Sequence, residues 1–139
     1  MSTDVLNRAA EIIQSRTGQD SYCTLSLIDD DGYPTTSAIS VSKHDGIRWL
    51  TFDTGLGSNK ANRIRKNPHA CVNFASETYN ITLVGEIEIV TDAAVKKEMW
   101  YDGMSHHFSG PEDPDYCVLR FTTRRYSLFI DWQETAGTL

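Results

Sequence analysis

The sequence has 139 residues, 40% of them hydrophobic and 23% charged, with a formal net charge of −6. That length suits one domain with a buried core, and a negative overall field disfavours nucleic acid phosphates and anionic membranes as partners. No apolar run approaches the ~20 residues of a membrane-spanning helix, and MSTDVLNRAAEIIQSR carries Asp4 where a signal peptide has a continuous apolar stretch, so a cytoplasmic protein is expected.

In chain order, Asp4 to Arg16 reads as an amphipathic helix: Leu6, Ala9, Ala10, Ile12 and Ile13 share a side, Ser2 or Thr3 offers a cap, and Gly18 lies past the end. Tyr22 to Ile28 alternates as a strand. DDDGYP, Asp29 to Pro34, is a turn in which Gly32 is free to take positive φ, and Thr35 to Ser42 returns as the second arm of a hairpin. KHDG, Lys43 to Gly46, predicts a second tight turn and Ile47 to Phe52 a third strand. GLGSNKANRIRKNP, Gly55 to Pro68, predicts a turn and then a helix stopped by Pro68, because the residue before proline avoids the α region.

Ala70 to Ala75 is a further strand, followed by a long one over Tyr79 to Val90 with Gly85 as a bulge or kink. A helix capped by Thr91 or Asp92 is expected from Ala93 to about Met104, and SGPEDPD, Ser109 to Asp115, is a loop. Tyr116 to Thr123 and Tyr126 to Trp132 read as a last hairpin around Thr123-Arg124. The sum is a single domain over 1–139, mainly β with flanking helices (α+β): six or seven short antiparallel strands forming a small barrel over about 22–132, preceded by the helix over about 4–16.

Cys23, Cys71 and Cys117 are odd in number, widely spaced and each within a predicted strand, which reads as buried free thiols in a reducing compartment. His44, His69, His106 and His107 form no His-x3-His or Cys/His cluster, so they read as ordinary polar residues and no metal site is expected. Most aromatic residues alternate within strands as core, and Trp100 with Phe108 is placed to pin the late helix and its loop onto the barrel.

The start of the helix after Gly57 is the chemically informative stretch. The first N–H groups of a helix lack intrahelical acceptors and attract an anion, helped by the helix dipole. Ser58 adds a hydroxyl, Lys60 a full charge, and Arg63 follows at three residues' spacing. A capped, solvated surface helix accounts for the same residues, so spacing alone leaves both readings open.

DGYPTTSAISV, WLTFDTGLGSNKANRIRKNPHACVNF and ITLVGEIEIV resemble the pyridoxamine 5'-phosphate oxidase-like flavoproteins with the FMN-binding split barrel. KKEMWYDGMSHHFSGPEDPDYCVLRF is similar to the general stress protein 26 branch of that group. The resemblance runs from about Tyr22 to Trp132. It implies an antiparallel split β-barrel, a homodimer with FMN at the subunit interface, and flavin-dependent oxidoreductase chemistry on a small molecule. It places the flavin along Trp49, Thr51, Phe52, Asp53 and Thr54, the phosphate at Ser58, Asn59 and Lys60, and Asn80 against the ring from the partner subunit.

The departures are specific. The family pattern has an arginine early and a lysine late in the second strand, and Ser37 and Ser42 stand there, with Lys43 one residue out of phase. The Arg-x-His pair near the C-terminus of true oxidases is absent, which argues against oxidation of a vitamin B6 phosphate. The alternatives are a flavin carrier without a substrate of its own, a relative that uses deazaflavin or heme, and a dimer without cofactor.

Overall fold

The computed structural model describes residues 2–139, with the backbone alone at Ser2. Helix α1, Ser2–Ser15, buries Val5, Ala9, Ile12 and Ile13, so its apolar side is the expected one with Val5 added. The proposed cap at Ser2 concerns a side chain outside the described residues. Gly18, at φ +96°, ends the helix region and donates from its N–H to the Val41 carbonyl at 2.8 Å.

β1, Cys23–Ile28, buries Cys23, Leu25 and Leu27 on one face and pairs antiparallel with β2, Pro34–Ile39. The turn between them is held by Asp29 Oδ1, which accepts from the N–H groups of Asp31 (3.0 Å) and Tyr33 (2.9 Å), while Gly32 sits at φ +84°. β2 ends at Ile39 rather than Ser42. Lys43–His44 is a two-residue strand, β3, and not part of the predicted turn: Lys43 pairs with Thr51. The reversal lies later because His44 Nδ1 accepts from Gly46 N–H at 3.0 Å and Arg48 N–H reaches the Asp45 carbonyl at 3.0 Å.

β4 is Trp49–Gly55 and α2 is Asn59–Lys66, with Ala61 and Ile64 turned to the core. β5, His69–Ala75, and β6, Tyr79–Val90, follow with clean alternation, and the register slips between Val84 and Gly85 as the glycine suggested. α3 stops at Glu98, spanning Ala93–Glu98 with Asp92 as its cap, so the predicted helix to Met104 is broken. A separate 3₁₀ turn, Asp102–His106, carries the chain back over the barrel and buries Met104. Gly103 permits this fold-back, since a Cβ there would lie 2.6 Å from the Tyr101 ring and 2.9 Å from Gln19 Cβ.

The expected last hairpin around Thr123-Arg124 is instead one strand, β7, Tyr116–Ile130. Opposite the slip, Gly85 faces Thr123 and Val84 faces Arg125, so Arg124 is the extra residue of a bulge rather than the tip of a turn. Thr123 is tied down: its hydroxyl donates to the Ile47 carbonyl and its N–H to the Arg48 carbonyl. The reversal comes at Asp131-Trp132, both at positive φ (+50° and +69°), the geometry of a two-residue hairpin turn, and leads into β8, Gln133–Thr138.

All eight strands join one sheet in the order β2-β1-β5-β6-β7-β4-β3, with β8 also on β7 and every strand pair antiparallel. β7 is central: β6 follows it along its length, β4 takes the first half of its other edge and β8 the second. The sheet curls around Leu25, Phe52, Phe74, Leu83 and Phe121 without closing, which is the split-barrel form, with one strand more than the upper expectation. Among the described residues no helix is long and apolar enough to cross a membrane.

Candidate functional site

β3 is too short to cover β4. Ser42 N–H donates to the Thr51 carbonyl at 2.7 Å, and backbone groups two residues further along a strand point the same way. Past Thr51, the main chain of Asp53 therefore faces out on the edge that β3 leaves open, while the other edge continues on β7. A cleft of about 540 Å³ lies here. Its floor is residues 53–55 and the end of β2, one wall is Gln19, Asp20 and Tyr22, Lys60 enters from α2, and the opposite wall is Tyr101, Met104, His106, His107 and Phe108.

The start of α2 is built beside this floor. Ser58 has an extended backbone and caps the helix: its Oγ accepts from Ala61 N–H at 3.1 Å and from the Thr54 hydroxyl at 2.8 Å. Both bonds use the oxygen as acceptor, which leaves the Ser58 O–H as a donor. The Asn59 and Lys60 N–H groups are the first of the helix and have no acceptor in the turn before them. Lys60 makes no ion pair among the described residues. Of these residues Lys60 lines the cleft itself, beside Thr54, whose hydroxyl is bonded to the Ser58 cap.

The second wall is held by an aromatic pin of the kind the sequence suggested. Tyr116 is fully buried; Trp100 meets it edge-on at 5.4 Å and Phe108 at a tilt at 5.3 Å between ring centres. The Tyr116 hydroxyl donates to the Lys96 carbonyl at 2.9 Å, and Lys96 Nζ lies 5.2 Å from the ring centre. Trp49, Met99, Met104 and Val118 belong to the same second apolar cluster.

Burial pushes the Asp53 carboxyl above the usual aspartate range, and the charge of His107 opposes that shift. Tyr101 is raised first by burial and then by Asp53, Tyr22 and Asp20, so these groups lie within electrostatic reach of one phenol. Asp20 holds its place with a left-handed backbone at φ +66°. Burial pushes the Cys23 thiol up to about 12 and Cys117 up to about 11, and raises the half-buried Cys71 as well, which disfavours the thiolate at each.

Of the nine residues expected at the cofactor, Asp53, Thr54 and Lys60 line the cleft, and Ser58 touches it through Thr54. Thr51 is buried with its hydroxyl accepting from Lys43 N–H at 3.1 Å, so only its neighbours' main chain reaches the open edge. The Phe52 ring is in the core, 1% exposed. Trp49 packs in the second cluster beneath the Arg120 guanidinium, 5.1 Å from the ring centre. Asn59 lines a different groove with Arg63, facing Asp29, Asp30 and Asp31, so the supporting role expected of Arg63 beside Lys60 is not what the helix geometry provides. Asn80 stands on β6, accepts from Asn73 Nδ2 at 2.8 Å, and does not line the cleft of its own chain.

Sequence reasoning missed the wall formed by Tyr101, His106 and His107. The readable signal was the pair Trp100 and Phe108, which brackets these residues and docks them. Among the described residues no group of three or more His, Cys, Asp or Glu side chains is placed to hold a metal.

Comparison with known proteins places the chain. No curated protein matches the sequence. A solved structure from Clostridium acetobutylicum, of a protein related to general stress protein 26 of B. subtilis (pyridoxinephosphate oxidase family), is 26% identical over 100% of this chain and 97% of the other, with a TM-score of 0.86. A heme-binding protein from Mycobacterium smegmatis shares the fold at 16% identity and TM-score 0.72, over 94% of this chain and 56% of its own. A pyridoxamine 5'-phosphate oxidase-related, FMN-binding protein from Nostoc punctiforme does so at 14% identity and TM-score 0.65, over 99% and 94%. The family model described as pyridoxamine 5'-phosphate oxidase matches residues 9–129, a span holding the open edge of β4, the capped start of α2 and the pinned wall, so the chain belongs to the pyridoxamine 5'-phosphate oxidase family.

Proposed function

We propose that the cleft binds FMN and that the chain is a flavoprotein of the general stress protein type, acting as a flavin-dependent oxidoreductase on a small molecule. The observation that carries this reading is Lys60, which makes no ion pair among the described residues, lining an open cleft at the start of α2 beside Thr54, whose hydroxyl bonds the Ser58 cap. That donor set suits a phosphomonoester, and the open edge at Asp53 offers main-chain groups to the amide-like rim of a flavin ring.

Bound FMN supplies hydride chemistry at its N5, and the protein supplies position and electrostatics. In this reading Ser58 and Lys60 hold the phosphate, Thr54 orients the Ser58 hydroxyl, and the wall from Tyr101 to Phe108 limits water. The site is completed by a second copy of the chain. Asn80 supports this, because it lies outside the cleft of its own subunit and is exposed. A monomer that holds the flavin tightly would overturn the dimer.

Purified protein should carry a flavin absorption band, and Lys60→Ala should weaken FMN binding by about 1–3 kcal/mol in a fluorescence titration, the range for losing a charge-assisted hydrogen bond. Unchanged affinity in that variant would sink the phosphate assignment. A heme reading has its own support in the two cleft histidines and the heme-binding fold neighbour. A Soret band in place of a flavin spectrum would select it.

A further inference from the structure

His44 is bonded through both of its ring nitrogens: Nδ1 lies 3.0 Å from Gly46 N, and Nε2 lies 2.7 Å from Gln14 Oε1. A backbone N–H can only donate, so Nδ1 is the bare nitrogen of a neutral ring. The ring proton is then on Nε2, where it faces the amide oxygen of Gln14. The first bond closes the turn between β3 and β4, and the second reaches across to the end of α1.

We propose that His44 is an acid-sensitive latch: as the neutral Nε2–H tautomer it ties the end of α1 to the turn after β3, and a proton on Nδ1 releases that turn.

The turn has little room to adjust around the ring. Gly46 sits at φ +58°, and a Cβ there would lie 3.4 Å from Ala10 Cβ, so α1 packs directly on it. Asp45 N–H donates to the Trp49 carbonyl and Arg48 N–H to the Asp45 carbonyl, both at 3.0 Å. Protonation sets Nδ1–H against Gly46 N–H, two donors without an acceptor, while the Nε2 bond to Gln14 persists. The ring stays with α1, and the turn loses its hold on the ring.

Few charges surround the imidazole. Asp45 is its neighbour in the turn, and Lys43 and Arg48 are the cations on either side. α1 brings the uncharged Gln14 and Ala10, and β4 sets Leu50 opposite His44. Burial of the half-buried ring lowers it below the usual imidazole range, and Asp45 opposes that shift. The folded chain therefore binds this proton less readily than the unfolded chain. The stability it contributes is complete above the usual imidazole range and is lost as the pH falls through it.

The latch bears on the cleft through β3. This strand is only Lys43–His44, and its pairing with Thr51 and Leu50 is what covers the β4 edge before Asp53. Opening the turn loosens the His44–Leu50 pair and lengthens the bare edge that borders the cleft. The inference needs no ligand in the cleft and stands apart from the FMN reading.

The test is an NMR titration of the full chain from about pH 8 to about pH 5, across the usual imidazole range, in wild type and in His44→Asn. The asparagine offers an amide oxygen in place of Nδ1 and does not titrate. In wild type the ring should show the Nε2–H tautomer at the upper pH. The Gly46 amide proton should move upfield with the same midpoint as the ring, as its bond is lost, and should stay in place in His44→Asn. In urea melts wild type should lose more stability than His44→Asn between the two pH limits. A ring with its proton on Nδ1 at the upper pH would overturn the latch, as would a Gly46 signal that stays fixed while the ring titrates. Equal movement of that signal in both proteins, or equal losses in the melts, would trace the effect to other groups and overturn it too. If His44→Asn does not fold, the wild-type spectra alone decide.

Discussion

Phe52→Ala should lower the free energy of unfolding by about 3–5 kcal/mol, in urea melts with and without FMN alike. Phe52 falls in a stretch that the family resemblance assigns to the flavin, yet its ring is 1% exposed and belongs to the main core, with its backbone opposite Leu119 of β7. In a strand, successive side chains alternate between faces. Asp53 lines the cleft, so Phe52 before it points inward. The substitution removes a ring from a close-packed interior and leaves a cavity that neighbouring strands cannot collapse into. A variant that keeps its stability and loses only flavin would place the ring at the cofactor and refute this assignment.

Gly85→Ala should cost about 3 kcal/mol, at the upper end of overpacking effects. A Cβ at Gly85 would lie 2.0 Å from the Thr122 carbonyl oxygen and 3.1 Å from Thr123 Cα, both backbone atoms of the facing strand. Neither can step aside as a flexible side chain would. The only relief is to widen the sheet at the bulge, where Thr123 is bonded to the Ile47 and Arg48 carbonyls beneath. The thermal midpoint of the variant is the measurement, and a midpoint equal to wild type would show that the two strands are not in this register.

Much of the fold was legible because period and punctuation agreed. Tyr79 to Val90 has unbroken alternation, and its bounds in the structure are those expected. Ser58 and Pro68 bracket α2, and Gly85 marks the bulge. The failures share a cause: local pattern without turn chemistry. Thr123-Arg124 has neither glycine nor asparagine to take positive φ, and the strand runs through it with one extra residue. The reversal falls at Asp131-Trp132, where Asp tolerates the left-handed region and Trp does so unusually. The break in the late helix is written in Gly103, whose missing Cβ is filled by Tyr101 and Gln19, a contact across more than eighty residues of sequence that periodicity cannot see.

The site divides the same way. Lys60, Ser58, Asp53 and Thr54 sit on regular elements whose faces follow from spacing. Asn59 and Arg63, four residues apart, share the face of α2 that lines a separate groove, while Lys60 lies beside that face and lines the cleft. His106 and His107 lie at the end of a short 3₁₀ turn, where spacing says little about direction, and the turn is held by the His107 N–H bond to the Met104 carbonyl and by the docked Phe108.

The pairing of β4 sets an order of assembly. Its long partner is the first half of β7, at residues 116–122, and β3 gives it only two residues. A chain emerging from its N-terminus has α1, β1, β2, β5 and β6 available to one another well before that segment exists. β4 then waits as an unsatisfied strand while residues 56–115 are made, and the binding cleft is among the last features to form. The same dependence means that a chain truncated before β7 keeps every residue that lines the cleft but lacks the strand that holds β4, its floor, in place.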